Sequence, residues 1–224
     1  MPGISTLQIN DQVEQYIVQQ LKARPASKGQ YNYPFALNTS VNEVVCHGMP
    51  NAQTVLCGKD IINVDITLEK DGFIADSSKS YVMPDASQPA RALVKTCYEA
   101  MWKGITEVKP GASLGDVGYA IQRHAEQAGY SVVLAYCNHG IRRKMHEEQQ
   151  VLHYGRRNTG LRLTPGMTFT IEPMINQDSN KNKVKTEGWR VVTKDKKLSA
   201  QWEHTILVTH SGYEVLTLRN EERN

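Results

Sequence analysis

The sequence predicts an α+β protein in which antiparallel hairpins are flanked by helices. Three patterns carry that prediction. Ile62, Val64, Ile66 and Leu68 alternate with Asn63, Asp65 and Thr67, the two-residue period of a strand, and Lys70-Asp71-Gly72 turns the chain back into Phe73-Ile74-Ala75. Leu93, Cys97, Met101 and Ile105 recur every four residues, the stripe of an amphipathic helix. A string also repeats: Pro-Gly, a helix-like stretch, a strand-like stretch and His-Gly occur in that order in both halves.

From the N-terminus, Pro2-Gly3-Ile4-Ser5 precedes an amphipathic stretch carrying Val13, Ile17 and Leu21. Residues 33–45 are strand-like and lead to Cys46-His47-Gly48, and the hairpin of 62–79 follows. Ser87 caps a helix that ends near Lys109-Pro110-Gly111. Ser113, with Asp116 three residues on, opens another through Val117, Ile121 and Ala125 to Gly129. Residues 131–136, 167–171 and 205–208 read as strands, and 177–188 as a polar loop. In the echo, the second half has a helix before its Pro-Gly, whereas the first half begins at the Pro-Gly; a leading helix is therefore expected to be missing.

The 224 residues, 40% hydrophobic and 22% charged, can bury a core, which excludes a disordered chain. A net charge of +3, without a dense Lys/Arg stripe interleaved with aromatics, argues against a nucleic-acid binder. Cys46, Cys57, Cys97 and Cys137 show neither C-x-x-C nor finger spacing and read as free thiols of a reducing compartment. The first twenty residues include Asp11 and Glu14 and lack the apolar segment of a signal peptide. No apolar run is long enough for a membrane span. The expected location is the cytoplasm.

Asp65 and Asp76 stand out. Asp is depleted in strands, and like charges facing across a hairpin repel. With Lys70-Asp71 at the turn centre the two acids are directly opposed; with Asp71-Gly72 they are diagonal; either way they share a face. Two readings stay open: a solvated sheet face, or a cation that turns the repulsion into attraction. Glu172 ends a strand just before Pro173, Glu203 opens one, and His139 sits in Asn138-His139-Gly140. Singly, each reads as a strand-end acid or a turn histidine. Together, four carboxylates and an imidazole suit two divalent ions in charge and donor type. His146-Glu147 does not extend into a zincin motif, because Gln150 stands where the second histidine belongs. No nucleophile elbow, phosphate loop or dinucleotide fingerprint is present.

The strings NEVVCHGMP (42–50), INVDITLEKDGFIADSSK (62–79), HG (139–140) followed by MHEE and QVLHYG (to 155), LTPGMTFTIEPM (163–174) and LSAQWEHTILVT (198–209) together resemble the type I methionine aminopeptidases. The resemblance runs over nearly the whole chain. It implies a pita-bread fold of two pseudo-symmetric αβ halves around a central antiparallel sheet, with residues 1–224 forming one catalytic domain that lacks the usual N-terminal helix. It implies two divalent metal ions, cobalt, manganese, iron or zinc, and no other cofactor. Asp65 would bind one ion and Asp76 bridge both; His139 and Glu172 would bind the other, and Glu203 would bridge. A hydroxide held by the ions would attack the first peptide bond, Glu172 would pass a proton to the leaving amine, and His47 and His146 would donate hydrogen bonds to the reacting peptide. Tyr33, Met145, Trp189 and His47 would wall a methionine-sized slot. The implied partners are peptides and nascent proteins beginning with Met, met by a monomer in transient contact with the ribosome. The family's preference for a small second residue makes the chain's own Met1-Pro2 start a candidate substrate.

Departures from the family pattern surround the ligand histidine. Asn138, Arg142 and Lys144 stand where glycines are usual, Met145 where an aromatic is, and Gln149 where a proline is; Ser27 and Gln30 replace a cysteine and a tyrosine of the pocket. A reshaped loop with a more basic mouth is expected. Two alternatives are carried forward, a non-catalytic binding paralogue and an Xaa-Pro metallopeptidase.

Overall fold

The structure, a computed structural model, describes residues 2–223, so Met1 of the candidate Met-Pro substrate lies outside the described residues. The first half opens with helix α1 (Thr6–Gln19). Ser5 and Gln8 form its capping box: Ser5 Oγ accepts from the Gln8 N–H and Gln8 Oε1 from the Ser5 N–H, quenching donors the helix leaves free. Five strands follow, β1 (Arg24–Pro25), β2 (Asn38–Val41), β3 (Val44–Cys46), β4 (Ile61–Lys70) and β5 (Phe73–Val82). β4 is their spine. It pairs along its length with β5 on one edge, and with β2 and then β1 on the other.

In the second half, α2 (Gln88–Thr106) starts at the Ser87 cap and α3 (Leu114–Gln127) at the Ser113–Asp116 capping box. The strands are β6 (Ser131–Val132), β7 (Asn138–Gly140), β8 (Glu147–Val151), β9 (Thr168–Ile171), β10 (Met174–Asn176), β11 (Asn182–Val184), β12 (Val191–Thr193), β13 (Ser199–Gln201), β14 (His204–Val208) and β15 (Tyr213–Val215). One sheet runs β15-β14-β9-β7-β8, another β13-β10-β6, and β12 joins the halves by pairing with β3 on one side and β11 on the other. The architecture is the expected antiparallel α+β, with helices laid on the sheets.

The main core lies in the second half. Leu93, Cys97, Met101 and Ile105 of α2 are fully buried with Val117, Ile121 and Ala125 of α3, against Phe169, Ile171, Ile206 and Val208. Burying each such aliphatic side chain contributes about 1.5–3 kcal/mol, so α2 is held mainly by its packed stripe.

Two sequence expectations need correction. Of residues 131–136 only Ser131 and Val132 form a strand, because Leu134 turns outward and Ala135, Tyr136 and Cys137 leave the ladder to line a cavity. Residues 177–188 are not all loop: Asn182–Val184 pairs with Val191–Thr193, a ladder of backbone bonds that needs no apolar pattern.

Register settles how the hairpin acids face each other. Lys70 pairs with Phe73, so Asp71-Gly72 is the turn; Thr67 then pairs with Asp76 and Asp65 with Ser78, which makes the acids diagonal neighbours. Their face is the buried one. Asn63, Thr67, Asp76, Ser78 and Ser80 are each 5% exposed or less, while Val64, Ile66 and Leu68 opposite are only half-buried. The usual apolar-in pattern of a half-buried strand is inverted here because the polar face meets the second half.

Candidate metal centre and substrate cavity

Both halves send carboxylates to one place. Asp65 and Asp76 project from the middles of β4 and β5, Glu172 from the break between β9 and β10, and Glu203 from just before β14. With His139 of β7 they line a single cavity of about 600 Å³. His139 Nε2 lies 3.6 Å from Glu172 Oε1 and 3.9 Å from Asp76 Oδ2. Asp76, His139 and Glu203 each offer a donor atom within 4.8 Å of the others. Asp65, diagonal to Asp76 across the hairpin, accepts from Asn38 Nδ2 at 3.3 Å.

Three of the four acids are aimed by neighbouring side chains. Thr67 Oγ1 donates to Asp76 Oδ1 at 2.9 Å. Glu172 accepts from Thr170 Oγ1 at 2.8 Å and from Gln201 Nε2 at 3.1 Å. The buried Asn138 accepts the Glu172 backbone N–H at 2.7 Å and donates to the Val151 carbonyl. The sequence marks Asn138 only as an unusual neighbour of the histidine. The positioning roles of Asn38 and Gln201 carry no local signal, since each depends on a fold partner; Thr67, on the Asp65 face, and Thr170, two residues before Glu172, are the legible ones.

The electrostatics ask for a cation. Burial raises Asp65 to about 6 and Glu172 to about 8. Burial first, then the neighbouring acids, holds Asp76 and Glu203 well above the usual carboxylate range. Burial lowers His139 to about 4, so it is neutral at physiological pH. Its Nδ1 faces the Gly140 carbonyl at 3.0 Å and must donate to it, which leaves an Nε2 lone pair directed at carboxylates. Carboxylates this close can ionise together only beside a positive charge, and a divalent ion among them turns each repulsion into attraction. The mixed oxygen and imidazole set suits transition metals over calcium. The residues therefore fit the metal that the sequence implies.

Beside the acids the cavity is aromatic. Tyr33 is buried with its hydroxyl donating to the Leu37 carbonyl at 3.1 Å, and its ring packs edge-on to Trp189 at 5.0 Å. His47 packs against Trp189 at 6.3 Å and Tyr136 at 5.9 Å. Met145, Met174, Ser27 and Gln30 also line it. His47 has a left-handed backbone (φ 54), a strained conformation found mostly where surroundings enforce it. The next residue, Gly48, lies hard against β2: its carbonyl accepts the Thr39 N–H at 2.7 Å, and any Cβ at 48 would sit 2.0 Å from the Thr39 oxygen.

His146 lies at the mouth, its ring 4.5 Å from that of His139. Its Nδ1 is 3.2 Å from Gln30 Nε2. An amide nitrogen only donates, so Nδ1 accepts and Nε2 carries the hydrogen. The structure thus brings every candidate metal, catalytic and pocket residue named from the sequence to one cavity. The loop after His139 needs no glycine: none of Asn138, Arg142 and Lys144 has a positive φ. It docks on the hairpin tip, with the Arg142 carbonyl accepting from the Ile74 N–H at 2.8 Å and the Arg143 guanidinium 4.5 Å over Phe73.

Residues 1–210 match the model of metallopeptidase family M24. The chain is 47% identical over 221 residues to methionine aminopeptidase B of Synechocystis sp., covering 97% of this chain and 81% of that one. It is 45% identical over 221 residues to the methionine aminopeptidase of Escherichia coli, covering 99% and 84%. The crystal structure of methionine aminopeptidase from Rickettsia prowazekii superposes with a TM-score of 0.94 at 46% identity, over 97% of this chain and 87% of that one. Likeness of this extent, over a cavity with a donor set suited to metal, leaves one assignment. The chain belongs to metallopeptidase family M24.

Proposed function

We propose that the chain is a metal-dependent aminopeptidase that removes the N-terminal methionine from peptides and nascent proteins. The observation that carries this reading is one cavity in which four carboxylates and His139 adjoin an aromatic slot walled by Tyr33, His47 and Trp189. Relatives 45–47% identical to the chain are methionine aminopeptidases, which favours this over the binding paralogue and the Xaa-Pro enzyme.

Asp65, Asp76, His139, Glu172 and Glu203 would hold two divalent ions, drawn from cobalt, manganese, iron and zinc. When bound, the ions supply Lewis-acid polarisation of the scissile carbonyl and activate water as the nucleophile. The chain's own groups do the rest. Glu172, buried beside the acids, is placed to hold a proton and deliver it to the departing amine nitrogen. His146, with its hydrogen on Nε2, and His47 donate to the peptide oxygen as charge develops there. Tyr33, Met145 and Trp189 bound the side-chain slot, where a methylene of misfit changes selectivity by about 1–3 kcal/mol.

The same reading sets the chain in the cytoplasm as a monomer, meeting nascent chains near the ribosome. Its four free cysteines suit a reducing compartment, and among the described residues no helix is long and apolar enough to cross a membrane. The test is methionine release from Met-Ala-Ser by purified chain with added Mn²⁺ or Co²⁺, with Leu-Ala-Ser as the control. Free methionine from the first peptide alone is the expected result. Bound metal without turnover would favour the paralogue, and no metal uptake would overturn the proposal.

A further inference from the structure

The two bridging candidates come from strands that share no ladder. Asp76 lies on β5, in the sheet built on β4, and Glu203 precedes β14, in the five-stranded sheet. Their separation depends on the bonds that join the sheets. The Glu203 N–H donates to the Ser78 carbonyl at 3.1 Å, and Ser77 Oγ donates to the Glu203 carbonyl at 3.1 Å. Thr205 Oγ1 donates to the Asp76 carbonyl at 2.8 Å.

Arg219 is inserted into this joint from the C-terminal segment. Its Nη2 donates to the Glu203 carbonyl at 3.0 Å, to Ser77 Oγ at 2.9 Å and to the Ser78 carbonyl. One nitrogen thus touches the backbone of a candidate ligand and both residues that follow the other. The guanidinium is held from behind: Nη1 donates to the Glu222 carboxylate at 3.1 Å, and the group stacks 5.3 Å over the Trp202 ring. The Arg219 and Glu222 side chains are only 15% and 5% exposed. A planar fork fixed on several sides is rigid in a way that an ammonium is not.

We propose that Arg219 is a positioning residue for the metal centre, one that sets the separation of the Asp76 and Glu203 carboxylates across the junction of the halves. This rests on the reading of both acids as metal ligands. It acts through backbone placement, so its loss changes metal uptake rather than the identity of any ligand. Outer partners of this kind typically change metal affinity 10- to 100-fold.

The test is Mn²⁺ titration calorimetry, with the visible absorption of the Co²⁺-loaded chain reporting coordination geometry. Arg219→Gln is expected to weaken Mn²⁺ binding about 10- to 100-fold and to shift the Co²⁺ bands, with Arg219→Lys intermediate. The surface pair Lys79–Glu221 lies close by, and Lys79→Ala should leave both readouts unchanged. If Arg219→Gln does not fold because Glu222, which keeps His204, loses its guanidinium partner, the double variant Arg219→Gln, Glu222→Gln removes the buried charge and decides the matter. A folded variant with native Mn²⁺ affinity and a native Co²⁺ spectrum, whatever its melting temperature, overturns this inference alone. Failure of the native chain to bind Mn²⁺ overturns the metal reading and this inference with it.

Discussion

Where the first half turns from Pro2-Gly3 into α1 and the second from Pro110-Gly111 into α3, the backbone makes the same bonds. The Gly3 N–H donates to the Leu56 carbonyl at 2.7 Å, and the Gly111 N–H to that of Leu163 at 2.9 Å. Leu56 returns a bond to Ile4 at 2.9 Å, and Leu163 to Ala112 at 2.8 Å. Each helix then opens with a capping box, Ser5–Gln8 or Ser113–Asp116. Beyond these starts the halves diverge. The first carries its acids inside an unbroken hairpin, whereas the second carries them at strand interruptions beside Pro173 and β14. The His-Gly pairs diverge too: His139 faces carboxylates, and His47 faces Tyr136 and Trp189. Two halves with matching helix starts send side chains to one cavity, and the surroundings of each side chain have set its chemistry.

If the acids of the halves are equivalent, Asp76→Asn and Glu203→Gln should each lower kcat/KM for Met-Ala-Ser about 1000-fold or more. That corresponds to losing several kcal/mol of transition-state stabilisation. A tolerated substitution on one side only would break the equivalence. Asn138→Ala tests the second half alone. It removes the acceptor of the Glu172 N–H and should reduce Mn²⁺ affinity or turnover about 10- to 100-fold, measured by calorimetry and peptide release.

The pH dependence of the metal-free chain sharpens the comparison further. Glu172 of the second half, raised to about 8, keeps its proton in the fold after the unfolded chain has released it. Its contribution is therefore present at low pH and lost as pH rises towards 8. Histidines shifted the other way, such as His139 to about 4, make stability rise with pH, but only up to the ordinary value of 6.5. Between pH 6.5 and 8 the carboxylates act alone, so stability in EDTA should fall, by on the order of 1–3 kcal/mol. Calorimetric melting should show this fall, Glu172→Gln should flatten it more than Asp65→Asn, whose carboxyl is raised only to about 6, and Mn²⁺ should abolish it. The smallest effects belong to the shared helix starts. Ser5→Ala and Ser113→Ala should each cost about 0.5–2 kcal/mol by denaturant unfolding. The fully buried Ser113 should be the more costly, because its loss also leaves Asp116 without a hydroxyl donor.

Much of this was legible before any coordinates. The caps at Ser87 and Ser113, the stripe from Leu93 to Ile105, the hairpin turn and the five candidate ligands all rest on residues near one another or on motif strings. Asn138 shows the boundary. In the sequence it is an oddity beside His139, and in the structure it is the acceptor for the Glu172 N–H, 34 residues away. Arg219 is further from view, as its partners lie on two sheets.

Local order, then, was written in the chain: caps, turn and periodicity act over a few residues, where backbone sterics and side-chain reach decide the outcome. Packing chose the rest. It turned the polar face of β4 inward against the second half, and closed Asp76, His139 and Glu203 to within 4.8 Å. Those outcomes depend on how two separately formed sheets meet, and no span of sequence contains both sides of that contact.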